Sequence, residues 1–232
     1  LHDALPIFFD TYDPNRRIAQ VYAESPLFQF QPGMDITETA NGRILLANQT
    51  NILEVLPDRS VRPLFAQNSG LFESARSFTF DSSGTLYVAD QGNNPSNGGR
   101  VLAIPAHHQG QSYSFTDCLI DRFTILRGQK DLRYVRMDYV SHSIIVRESG
   151  ELRQYGLGLS GTVRDEFGAP LSGAEVQLKR YGAMPSAVAR TNACGNFHIL
   201  DALQIGGSTV AEVSIKHAAI GAQNYLVAMN TR

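Results

Sequence analysis

The sequence of 232 residues has no tryptophan and only two cysteines, Cys118 and Cys194. Neither has a second cysteine or a histidine at ligand spacing, which excludes a zinc motif of the Cys–His type. Their separation leads us to expect two small, half-buried residues in different domains rather than a disulfide. Long hydrophobic runs are missing too: no window approaches the roughly 18 apolar residues that a membrane-spanning helix needs. Charge of one sign is also lacking. Lys and Arg total 20 against 22 Asp and Glu, a formal net charge of −2. Basic runs such as Asn15 to Arg17 are too short to track a phosphate backbone, so no nucleic-acid partner is expected. Helical periodicity is nearly absent, and the chain does not begin with Met.

What is present is a succession of short β-branched and aromatic runs divided by Gly, Asn, Asp, Ser and Pro, the pattern of an all-β chain. The runs repeat. "TANGRILLANQTNILEVLPDRSVRPLF" (Thr39 to Phe65) aligns with "DSSGTLYVADQGNNPSNGGRVLAIPAHHQGQSYSF" (Asp81 to Phe115). Each has a turn ending in Gly, a strand, a polar loop and two further strands. The matched glycines, Gly42 and Gly84, lie 42 residues apart, within the roughly 40–45 residues of a four-stranded propeller blade. A degraded third copy runs from Met137 to Leu157, and Ile7 to Glu24 reads as two outer strands of an earlier blade. Ile120 to Val135 is expected to supply the outer strand of one blade and the first of the next. From Gly158 the period is lost. "SGTVRD", "GAEVQLKR", "AVARTNACGNFHI" and "TVAEVSIKH" are strands of a small sandwich. The expected organisation is a partial β-propeller of about three to three and a half blades over residues 8–157, and a β-sandwich over residues 158–232.

Three resemblances extend this reading. Phe80, Asp81, Gly84, Leu86, Tyr87, Val88, Ala89, Asp90, Gly92, Asn93 and Val101 resemble the blade pattern of NHL and gluconolactonase-like six-bladed propellers. "SGTVRDEFGAPLSGAEVQL" (Ser160 to Leu178), with "RTNACGNFHI" (Arg190 to Ile199), is similar to the carboxypeptidase regulatory-like domain, a transthyretin-like, immunoglobulin-like sandwich. Such domains are accessory rather than catalytic and common in exported bacterial proteins, which implies an extracytoplasmic location; no zinc-peptidase motif accompanies it. The first seven residues, "LHDALPI", lack the basic start and apolar core of a signal peptide. They resemble translated sequencing-adapter sequence at the ends of metagenomic gene models, which implies a truncated chain. Three blades and a fraction cannot close a six-bladed ring, and truncation accounts for that as well.

Candidate site residues follow from the blade alignment. Asp90, Asn93 and Asn94 leave the strand "TLYVA", with Asn48 and Gln49 in the matching position one blade earlier and Glu148 in the third. Over a propeller channel these oxygens could contact a ligand or Ca²⁺; as turn residues they could equally cap their own backbone. No other cofactor is expected. The lactonase resemblance implies a metal held by carboxylates on inner turns, but Arg76 stands where one is wanted and Asp35 is a single remaining carboxylate. His107 and His108 read as a solvated loop, and His142, His198 and His217 as isolated residues, structural or solvent-facing. Ser141-His142-Ser143 lacks a nucleophile elbow. Tyr87, Tyr134 and Phe123 read as core. The function expected is a non-catalytic binding or scaffold fragment of a larger exported protein, with a protein or carbohydrate partner. The alternatives are a fragment of a metal-dependent lactonase-type hydrolase and a structural surface stalk.

Overall fold

The computed structural model describes residues 7–9, 20–23, 25–28, 35–39, 42–66, 69–92, 98–110, 115–141, 143–156, 158–180, 185–199 and 209–229. The chain is almost entirely antiparallel β-structure. Strands β1 (Ile7–Phe9) and β2 (Gln20–Ala23) pair with each other. Next, β3 (Ile36–Glu38), β4 (Ile44–Asn48), β5 (Asn51–Val55) and β6 (Val61–Pro63) form a four-stranded meander, the first blade. The second blade consists of β7 (Ala75–Phe80), β8 (Leu86–Asp90), β9 (Gly99–Ile104) and β10 (Thr124–Gln129). In the third, β11 (Tyr134–Asp138), β12 (Ser143–Glu148) and β13 (Glu151–Gly156) form three strands. The segment from Ile120 to Val135 thus supplies the outer strand β10 and leads into the inner strand β11, as the repeat predicts.

The blades stack face to face, and the alternation of side chains along each strand records it. On β8, Leu86 and Val88 enter a core shared with Leu45, Ala47 and Ile52 of the first blade. The intervening Tyr87 and Ala89 enter a second core, shared with Val135, Ile144 and Val146 of the third. Both faces are covered, which is why all five residues of β8 are buried and its first four read as a continuous apolar run. On the far face of the first blade, Leu46, Leu53 and Val55 pack on Ala23 and Phe28. The inner hairpins turn at Gly42 and Gly84, both left-handed with φ of 77° and 82°. A side chain is strained there, so the 42-residue spacing of these glycines reflects a backbone requirement.

After β13 the pairing changes. Strand β14 (Leu159–Thr162) pairs with β17 (Asn196–Ile199), while β15 (Glu175–Arg180), β16 (Pro185–Arg190), β18 (Thr209–His217) and β19 (Gly221–Met229) form a second sheet in the order β16-β15-β18-β19. Both sheets contribute to one core, with Phe197 and Ile199 from one and Val176, Leu178 and Val213 from the other.

Three features depart from the expectations. A helix, α1 (Asp117–Phe123), precedes β10; Thr116 caps it by accepting from the Leu119 amide through Oγ1 at 3.2 Å. At seven residues it is too short for periodicity to reveal, and the cap was its only local signal. Cys118 and Cys194 are disulfide-bonded, contrary to the reading of two unlinked residues. Helix α1 places Cys118 against the turn leading into β17, an approach that spacing along the chain cannot encode. Tyr134 is not core: it stands half-exposed with the Arg136 guanidinium 4.4 Å from its ring centroid. Tyr87 and Phe123 are buried as expected.

Around the disulfide, Asn192 and Asn196 both donate through Nδ2 to the Asp121 carboxylate, and Asn196 also donates to the Cys118 carbonyl at 2.8 Å. An aspartate at 192 would set two carboxylates together, so Asn192 suits this contact. His198 Nε2 lies 3.1 Å from the Asp121 carbonyl, which can only accept, so Nε2 carries the proton. The other ring nitrogen is buried without a partner. Burial, opposed by the Asp121 contact, holds the His198 pKa below its usual 6.5. The unfolded chain therefore binds a proton that the folded chain refuses, and stability should fall as pH drops below 6.5. Urea unfolding at pH 7.5 and 5.5 should show that loss, and His198→Gln should reduce it.

Candidate ligand-binding cleft

At one end of the blades, Asp90 and Gln49 of the predicted set bond to the scaffold and Asn48 is buried. Asp90 closes β8 at 0% exposure. Its oxygens accept from the Glu73 and Ser74 amides at 3.1 and 2.6 Å and from Arg100 Nε at 3.0 Å. Arg100 in turn donates to the Leu71 carbonyl. A cation at Asp90 would have to displace Arg100 and leave two buried amides unpaired. Asn48 is buried at the end of β4, opposite Asn51. Gln49 takes φ 49°, and its carbonyl accepts from the Ala75 amide, joining the first blade's turn to the second blade. Glu148, in the matching place of the third blade, is buried and accepts from Tyr155 Oη at 2.6 Å, with Arg153 at 3.2 Å. Asn93, Asn94 and His142 lie outside the described residues. Asp90→Ala is expected to cost about 3 kcal/mol, because it strands a partly buried guanidinium and two amides; chemical denaturation checks it.

The inner strands are stapled to one another. Asp35, just before β3, makes a bidentate pair with Arg136 of β11, with Nη2 to Oδ1 at 2.8 Å. Ser77 of β7 donates to the same carboxylate at 2.9 Å, and Arg136 Nη1 reaches the Phe78 carbonyl at 2.8 Å. The hydrogen bonds that Arg136 donates to Asp35 raise its pKa against the opposing effect of burial. The carboxylate left over for a metal is thus occupied by an arginine that sequence reasoning did not connect to it. Arg76 points elsewhere, donating to Gln91 Oε1 at 2.9 Å. Among the described residues no three His, Cys, Asp or Glu side chains gather as a metal site would require. His107 and His108 form a short 3-10 turn with Ala106, and the His108 ring packs 4.9 Å from that of Phe123.

At the opposite end of the strands, a cleft of about 980 Å³ opens between the first and second blades. Its charged wall is a three-strand cluster. Glu54 of β5 lies directly opposite Arg62 of β6, which donates to Oε2 at 2.9 Å, and Arg43 Nε donates to Oε1. Burial raises the Glu54 pKa, but the two arginines outweigh it and hold the carboxyl below 4.5. The sign is that of a depressed acid: the stabilisation is complete above pH 4.5 and lost as pH falls through the folded value. Glu54→Gln should flatten stability against pH in that range, read by acid titration of unfolding.

The other walls are equally fixed. Asp81 Oδ1 accepts from the Ser83 and Thr85 amides at 2.8 and 2.9 Å, which shapes the β7–β8 turn. Gln109 Nε2 donates to the Gly84 carbonyl at 2.8 Å and ties the 3-10 turn to the second blade. Tyr139 of the third blade donates its hydroxyl to the Phe80 carbonyl at 2.7 Å yet remains 59% exposed. Sequence reasoning missed this cleft. The one signal was Glu54, a lone charge in the apolar strand "NILEV".

No protein-family model and no curated protein matches the chain. Among solved structures it is similar to virginiamycin B lyase from Staphylococcus aureus, at 10% identity and a TM-score of 0.35, covering 90% of this chain and 74% of the lyase. It is also similar to PorZ, an essential surface component of the type-IX secretion system of Porphyromonas gingivalis, at 10% identity and a TM-score of 0.35. A third likeness is to the extracellular domain of the putative one component system BT4673 from B. thetaiotaomicron, at 12% identity and 0.35. The chain spans 29% of PorZ and 30% of the BT4673 domain, aligning over 83% and 85% of its own length. Scores this low carry no functional weight, and the blades stand on their own strand pairing.

Proposed function

We propose that this chain is a non-catalytic binding and scaffold piece of a larger exported bacterial protein. Residues 8–157 form the partial propeller that presents the binding surface, and residues 158–232 form an accessory sandwich of the carboxypeptidase regulatory-like kind. One observation carries this reading. The carboxylates of Asp35, Asp90, Glu54 and Glu148 are each paired with arginine, while a preformed cleft, lined by Glu54 alone of the four, stays open between the first and second blades. Paired carboxylates are poor metal ligands and poor general bases, whereas a fixed cleft lined by mixed polar groups favours recognition.

Export is supported by the Cys118–Cys194 cross-link, since structural disulfides persist in oxidising compartments. Among the described residues no helix is long and apolar enough to cross a membrane. The deciding experiment incubates the full chain with a panel of lactones and millimolar Ca²⁺, Mg²⁺ or Zn²⁺, followed by metal analysis of the protein. Neither turnover nor retained metal is expected. A stoichiometric divalent ion together with turnover would overturn the proposal in favour of a hydrolase.

A further inference from the structure

We infer that the cleft between the first and second blades takes a neutral oligosaccharide, an inference that rests on the binding-module reading and names its ligand class. The cleft brings together donors and acceptors in the mixture that sugar hydroxyls require, since each hydroxyl both gives and receives a hydrogen bond. Arg43 and Arg62 are fixed donors: each guanidinium is oriented by the buried Glu54 carboxylate and has further N–H groups beyond that contact. Acceptors come from Glu38 and Asp81, and Thr37 adds a hydroxyl.

Charge decides between neutral and acidic ligands. Two arginines face three carboxylates, Glu38, Glu54 and Asp81, so the walls have no positive excess to recognise a phosphate, sulfate or uronate. Tyr139 supplies the apolar element. With its hydroxyl bound to the Phe80 carbonyl and more than half its surface exposed, its ring is held at the rim as a platform for the C–H face of a pyranose. A peptide added as an extra strand is disfavoured. The outer edge of the first blade is β6, only three residues long and ending in Pro63, which has no amide hydrogen to donate.

The test is calorimetric titration of the full chain with four neutral hexasaccharides, of β-1,4-glucan, α-1,4-glucan, β-1,4-xylan and β-1,4-mannan. A polygalacturonate hexamer and a mixture of unstructured decapeptides serve as comparators. At least one neutral hexasaccharide should bind saturably. Tyr139→Ala should weaken it by about tenfold or more, and Arg62→Ala by a comparable factor. Tyr139→Phe, which keeps the ring, should stay within about threefold of the parent. Both targeted side chains are exposed, so folding should survive; Leu152→Ala, on the exposed strand β13, should leave binding unchanged. The inference is overturned if no neutral hexasaccharide binds, if only the polygalacturonate or the peptides bind, or if Tyr139→Ala binds as the parent does. Peptide binding lost in Tyr139→Ala would remove the saccharide assignment and leave the binding-module reading standing. Release of reducing ends from a bound hexasaccharide would support the saccharide assignment and remove the non-catalytic reading.

Discussion

Reduction of the Cys118–Cys194 bond should lower the free energy of unfolding by about 4 kcal/mol, the larger of the two strongest effects expected. The bond closes a loop with a sequence separation of 76 residues. In the chain-entropy account, closing a loop of about 15 residues contributes about 3 kcal/mol and one of about 100 residues about 4.7. The loop spans much of the second blade's exit, the whole third blade and the first half of the C-terminal sheets, so reduction frees a large share of the unfolded chain. What remains at the junction is the polar contact of Asn192, Asn196 and His198 with α1, a few hydrogen bonds of about 1 kcal/mol each. Urea unfolding of oxidised and reduced protein measures the effect, and the double variant Cys118→Ala/Cys194→Ala should match the reduced protein. Equal midpoints for the two redox states would mean that the cross-link does not constrain the chain.

The second large effect belongs to the inner staple. Arg136→Ala should destabilise the fold by about 3 kcal/mol, because it leaves the Asp35 carboxylate largely buried with only Ser77 and the Phe78 amide to receive it. The reverse change, Asp35→Ala, should cost somewhat less, since Arg136 is one-third exposed and can still reach the Phe78 carbonyl. A neutral replacement of both, Asp35→Leu with Arg136→Met, should recover much of the loss. In that case the penalty belongs to the unpaired charge rather than to the pair. Thermal and urea unfolding of the parent, the two single alanine variants and the Asp35→Ala/Arg136→Ala double forms the cycle, with the Leu/Met pair measured beside it. Additive losses would show that the two residues do not interact.

Much of the β-architecture could be read from the sequence because it depends on local rules. Left-handed glycines at 42 and 84 mark the inner hairpins, and the alternation of Leu86, Tyr87, Val88 and Ala89 predicts a strand whose faces serve different neighbours. The unread parts are those in which distant segments meet. Cys118 finds Cys194 only because α1 docks on the β16–β17 turn, and Asp35 finds Arg136 only because three inner strands lie side by side. Asp90 stood out in the repeat as a polar residue at a strand end, and the structure uses it to accept from the Glu73 and Ser74 amides and from Arg100. The cleft went unseen for the same reason. Glu54 is a lone charge in "NILEV", but Arg43 and Arg62 are not connected to it until β4, β5 and β6 come into register.

Asn48, Asp90 and Glu148 are buried at one end of the strands, and the proposed recognition lies at the other end, in the cleft beside Arg62 and Tyr139. Hydrogen–deuterium exchange of the full chain, with and without the neutral hexasaccharides, tests this most directly. Protection is predicted over residues 37–43, 80–84 and 139–141. Protection confined to residues 48–50 and 90–92 would contradict it and restore the channel-facing loops as the site.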